Sequence, residues 1–144
     1  MTNQPDLPFR PGLGRVLTFG LLAAGAAAVV VAVAAFALKQ IFQIEDSFQP
    51  LTPPSAAFLT VVYTLIGTGV LAVVTRLATN PRRTFLRLAT LGLAFSFVPQ
   101  TVLLVTGIEV PLGEFTLKNV LVLSSLHLVA AAVALPILLR VFRP

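Results

Sequence analysis

Apolar residues in this chain come in long uninterrupted runs, and charges fall only between them. Arg15 and Lys39 bracket 23 residues without a charge, Arg87 and Glu109 bracket 21, and Lys118 and Arg140 bracket another 21. A further run follows Pro53-Pro54 and extends from Ser55 to Thr75. Each reaches the roughly 20 residues that a helix needs to cross about 30 Å of hydrocarbon. In lipid every backbone polar group must be satisfied inside the segment, which selects helix. Strands of a membrane barrel would be about half as long and would alternate in polarity. The pattern therefore predicts an all-α membrane protein, a four-helix antiparallel transmembrane bundle. Its helices fall at about 15–38, 55–76, 84–107 and 117–142, in one domain covering 14–144. Residues 1–13 are polar and Pro-rich and read as a cytoplasmic tail.

The connections are short: 39–54, 76–86 (with Asn80-Pro81 as a turn) and 107–117 around Pro111, Leu112 and Gly113. Loops of this length make successive helices antiparallel neighbours. Lys and Arg then give the orientation. With the N-terminus inside, Arg10, Arg15, Arg76, Arg82, Arg83, Arg87, Arg140 and Arg143 share the cytoplasmic side, against Lys39 and Lys118 outside. Both termini are expected in the cytoplasm, and the chain in the inner membrane of a bacterium. The first span also resembles a signal peptide, with Arg10 and Arg15 before it and Ala35-Phe36-Ala37 after it. Its apolar run exceeds the usual 7–15 residues of a signal core, which favours a retained span.

Composition agrees. Only 10% of the residues are charged and 57% are hydrophobic, whereas a soluble domain carries about 25% charged residues. The net charge of +5 sits beside apolar spans, where lipid phosphates and topology account for it without nucleic acid. No cysteine is present, which removes disulfides, thiolate nucleophiles and Cys-ligated metals.

Association in lipid depends on close packing of small residues. Gly20, Ala24, Ala28 and Ala32 follow small-xxx-small spacing on the first span; Gly67 on the second and Gly92 on the third are further candidates. Pro99 and Pro136 each remove a backbone donor and predict kinks in the third and fourth spans. Arg15-Val16-Leu17-Thr18-Phe19-Gly20-Leu21 also aligns with Arg87-Leu88-Ala89-Thr90-Leu91-Gly92-Leu93. Either the halves are a parallel repeat or two apolar helices match by chance.

Polar side chains inside the spans cluster at one depth. Counted from the inner arginines, Tyr63, Gln100 and His127 each lie thirteen residues away, or roughly 20 Å up a helix. Thr60, Thr64, Ser96 and Ser124 lie close to that level. Uncompensated polar groups in hydrocarbon cost several kcal/mol, so these side chains are expected to face inward. They form either a small pocket for a polar head or a proton, or a layer of interhelical hydrogen bonds.

Catalytic chemistry finds little support. There is one His, no second axial ligand beyond Met1, no acid within a span, and no carboxylate to orient His127 beside Ser124. No metal, cofactor or enzyme activity is expected. Finally, Leu123-Ser124-Ser125-Leu126-His127-Leu128-Val129 with its following alanine run, and the Arg-x-x-Thr-x-Gly start, resemble a bacterial family of small four-helix membrane proteins of unknown function. The resemblance implies the same fold and carries no activity. The expected role is a structural or accessory subunit acting through helix packing, with membrane lipids and either a homo-oligomer or a larger membrane complex as partners. The alternative is a small transporter or a lipid- or small-molecule-binding protein using the polar layer.

Overall fold

A computed structural model describes residues 11–143. The first span is α1 (Leu13–Ile41) and the second α2 (Pro53–Leu77). The third is built from α3 (Pro81–Ser96) and α4 (Val98–Thr106), and the fourth from α5 (Leu117–Leu139), continued by a 3-10 turn at Arg140–Phe142. All four are long and apolar enough to cross a membrane, and no strand occurs among the described residues. Most of the expected 1–13 tail, with Asp6 and Arg10, lies outside the described residues, and α1 already opens at Leu13.

Prolines set several helix starts. Pro53, Pro54 and Pro81 lie in the first turns of α2 and α3, where a missing N–H leaves no broken bond. Both helices consequently begin earlier than the sequence expectation of residues 55 and 84. Pro99 does interrupt the third span: Phe97 is the junction, its N–H turning back to Ala94 O at 3.3 Å. Pro136 has a milder effect, since α5 stays helical through it to Leu139. Gly107 ends α4 in the left-handed conformation (φ 63°), donating to Leu103 O at 3.0 Å.

Packing is uneven. α1 lies between α2 and α5 and has 33% of an 18-residue apolar stretch buried, whereas the corresponding stretch of the third span has 6%. On α1, Gly20, Ala23, Ala24, Ala27, Ala28, Val31 and Ala35 are all buried, so this face of small residues is covered by contacts within the chain, while Ala32 is half-buried and Gly25 exposed. Gly20 approaches Thr68 of α2 closely: a Cβ at Gly20 would stand 2.2 Å from Thr68 Cγ2. In this antiparallel register Ala24 comes level with Thr64, and Ala28 with Thr60. Thr60 and Thr68 satisfy their hydroxyls on their own helix, donating to Ala56 O (2.7 Å) and Thr64 O (2.8 Å), so the threonine stripe packs without demanding partners across the interface.

Two apolar clusters hold the ends. At the arginine end, Val16, Leu71, Val74, Phe85, Leu138 and Val141 pack together, and Phe85 ties α3 to the other helices. At the opposite end, Val31, Ile44, Phe48, Leu51, Val122 and Leu126 close the core. The two loops there clasp one another. Gln49 N donates to Leu112 O at 2.9 Å, and the Phe48 and Phe115 rings meet edge to face at 5.1 Å. Gly113 (φ 102°) sits so close that a Cβ would lie 2.7 Å from Ser47 O. Lys39, buried at the end of α1, pairs with the exposed Asp46 at 2.6 Å; this hydrogen bond and the ammonium charge hold the Asp46 carboxyl below its usual 3.8. Asn119 helps to order the start of α5, donating from Nδ2 to Glu114 O (2.9 Å) and from its backbone N–H to the Thr116 hydroxyl (3.2 Å).

The start of α1 and the stretch after α5 are joined at the arginine end. The Arg15 guanidinium donates to the carbonyls of Arg143 (2.5 Å) and Arg140 (3.4 Å) and lies over Phe19. A cation here complements the negative end of the last helix. Helix order around the assembly, with α1 and the third span on either side of α2 and α5, suits a parallel repeat equally with any up-and-down bundle. The tight first span and loose third span differ strongly between the two halves.

Candidate functional site

The polar layer divides in the folded chain. One part is an interhelical contact between α4 and α5: Gln100 Nε2 donates to Ser124 Oγ at 2.7 Å. Gln100, in the first turn of α4 just after the Pro99 break, is buried, and its Oε1 is left without a hydrogen-bond partner. One turn away, the Phe97 ring meets His127 with centroids 5.8 Å apart. Both pairs share one antiparallel register, since moving three residues back on α4 moves three forward on α5. The half-buried His127 uses its Nδ1 against its own helix, 2.8 Å from Leu123 O. A carbonyl only accepts, so in this geometry Nδ1 carries the proton. Ser96 and Ser125 likewise donate back to Leu93 O and Val122 O, both at 2.6 Å.

The other members are elsewhere. Tyr63 is 66% exposed on the outer surface, contrary to the expectation that it faces inward. Thr60 and Thr64, four residues apart, take the inward face of α2, and Tyr63, about 100° round the helix from Thr64, falls on the outer side of that stripe. A phenol on a lipid-facing surface is tolerable where its ring is apolar and its hydroxyl reaches polar groups. Thr60 and Thr64 therefore belong to the α1–α2 seam and not to the Gln100–His127 group. Common depth along the membrane normal, which the sequence supplied, says nothing about azimuth around each helix.

The small residues divide in the same way. Gly20, Ala24 and Ala28 are packing positions. Gly67 and Gly92 make no such close contact within the chain, since a Cβ at either would meet nothing within 4 Å. They lie on open sides of their helices, which spacing alone does not reveal. Thr68, which meets Gly20, continues the four-residue spacing of Thr60 and Thr64 and was legible on that basis. Phe97 and Asn119 had no such signal: one matters through the Pro99 break, the other through a loop carbonyl. Arg15, Arg140 and Arg143 meet at one end, and Arg76, Arg82, Arg83 and Arg87 flank the short α2–α3 turn at that same end.

Four apolar spanning helices, with their polar groups turned largely onto their own backbones, define a multi-pass membrane protein. The chain belongs to DUF6069, a family of unknown function, whose model matches residues 9–144. No curated protein and no solved structure matches it.

Proposed function

We propose that this chain is a non-enzymatic structural or accessory subunit of the bacterial inner membrane, with both termini cytoplasmic, which docks a partner helix on its third span. The supporting observation is the burial contrast: an 18-residue apolar stretch of that span is 6% buried, against 33% for the corresponding stretch of the first. Its open side carries Thr90, Gly92 and Ala94 beside Leu91 and Phe95, the mixture of small and bulky residues that lets a second helix approach closely. The alanine-rich first span, the better candidate on sequence, is already covered by α2 and α5. The transporter alternative draws on the unpartnered Gln100 Oε1, but its three principal residues do not converge, because Tyr63 faces outward.

The chain has no cysteine, so single thiols report contacts cleanly. Phe95→Cys, 75% exposed, is expected to form a cross-linked adduct in native membranes, while Val33→Cys on α1, 64% exposed, is not. A dimer-sized adduct identifies a second copy, and any other mass a different subunit. Gly92→Leu in the Phe95→Cys background should abolish the adduct and leave the fold intact, since Gly92 is exposed and a Cβ there would meet nothing within 4 Å. Equal cross-linking at positions 95 and 33 would end this reading.

A further inference from the structure

We propose that a cleft at the arginine end binds the phosphate of an anionic phospholipid. The cleft, of about 430 Å³, is lined by Arg82, Pro136, Leu139, Phe142 and Arg143. Arg82 comes from the first turn of α3 and Arg143 from just beyond the 3-10 turn after α5, so two arginines distant in sequence line one opening. Planar guanidinium groups match phosphate oxygens in pairs, which a single ammonium does not. α3 also begins here without a side-chain cap from Asn80, so its first-turn N–H groups and dipole add positive potential at the same place.

Charge balance points the same way. The acids among the described residues, Glu45, Asp46, Glu109 and Glu114, all belong to the loops at the far end. None of them can neutralise Arg82 or Arg143. The apolar part of the lining selects the source of the phosphate. Pro136, Leu139 and Phe142 give a hydrocarbon surface running from the arginines toward the membrane interior, suited to the start of an acyl chain and of no use to a free anion. The cleft stands at the ends of two spans, the level at which headgroups lie. This inference is independent of what docks on the third span.

The test uses the full chain in detergent with native mass spectrometry, titrated with dioleoylphosphatidylglycerol and, separately, dioleoylphosphatidylcholine. The wild type should retain the anionic lipid over the zwitterionic one on the order of tenfold. Arg82→Gln/Arg143→Gln should bring the ratio close to one. Arg83→Gln/Arg87→Gln removes the same charge from the same end, outside the cleft, and should keep most of the preference. Arg82→Lys/Arg143→Lys, which keeps charge but loses the paired geometry, should fall between. Circular dichroism of each variant checks that it is folded. An unchanged ratio in the cleft variant, or an equal loss in the Arg83/Arg87 variant, would overturn the site. Displacement of the lipid by low-millimolar inorganic phosphate would overturn the lipid assignment in favour of the free anion.

Discussion

Replacing Gly20 by Ala tests whether the first two helices are held by the close approach at Thr68. The added methyl would sit 2.2 Å from Thr68 Cγ2, 2.6 Å from its Oγ1 and 3.0 Å from its Cβ. Carbon atoms in good contact stand about 3.5–4.0 Å apart. Thr68 has little freedom to yield, because it is β-branched on a helix and its hydroxyl is bonded to Thr64 O at 2.8 Å. The helices must therefore part locally by about 1 Å, loosening the buried Ala24 and Ala28 contacts as well. Overpacking of this kind costs about 1–3 kcal/mol, partly offset by the roughly 1 kcal/mol that Ala gains over Gly in a helix. Gly25→Ala, on the same helix with nothing within 4 Å, carries only the gain and serves as the control. Thr68→Ala alone leaves a small gap and should cost about 1 kcal/mol. The double variant removes the worst overlaps, so the two changes should be coupled by about 1–2 kcal/mol in the favourable direction. Unfolding by SDS in mixed micelles, followed by circular dichroism, measures all four proteins. Stability of Gly20→Ala equal to Gly25→Ala, or additivity within about 0.5 kcal/mol, would refute the seam.

The clasp between the two loops should fail at Gly113. Gly113→Ala combines a left-handed φ of 102° with backbone neighbours that cannot move aside and is expected to lose about 2 kcal/mol or more in the same assay. Gly107→Ala, left-handed but open, should lose about 1 kcal/mol, and equal losses would contradict the clasp. At the α4–α5 contact, Ser124→Ala leaves both polar ends of a buried amide unpaired and should cost about 1–3 kcal/mol. Gln100→Leu removes the amide together with its orphaned oxygen and should be near neutral; a larger loss for Gln100→Leu than for Ser124→Ala would show that the amide has a partner beyond Ser124.

Where the amino-acid order sufficed, a strong and local force was at work. Charge-free runs of 21 to 23 residues leave no choice but membrane helices, because no soluble surface can be made from them. The helix stretches, the Pro99 break and the value of Gly20, Ala24 and Ala28 all follow from properties of one segment at a time. The candidate site was half legible. Gln100, Ser124 and His127 sit on facing parts of α4 and α5, whereas Tyr63 shares only their depth.

The sequence by itself determined which stretches form helices long and apolar enough to cross a membrane, how far along each helix a residue stands and which end of the bundle each loop occupies, since these depend on hydropathy and on the fixed rise of a helix. Tertiary structure alone decided the rotation of each helix about its axis. That rotation sent Thr68 to Gly20, turned Tyr63 and Gly92 outward, and brought Arg82 beside Arg143. In water an apolar stripe would have announced the buried face. In a bilayer both faces are apolar, the hydrophobic effect between helices is lost, and shape complementarity between neighbours sets the choice.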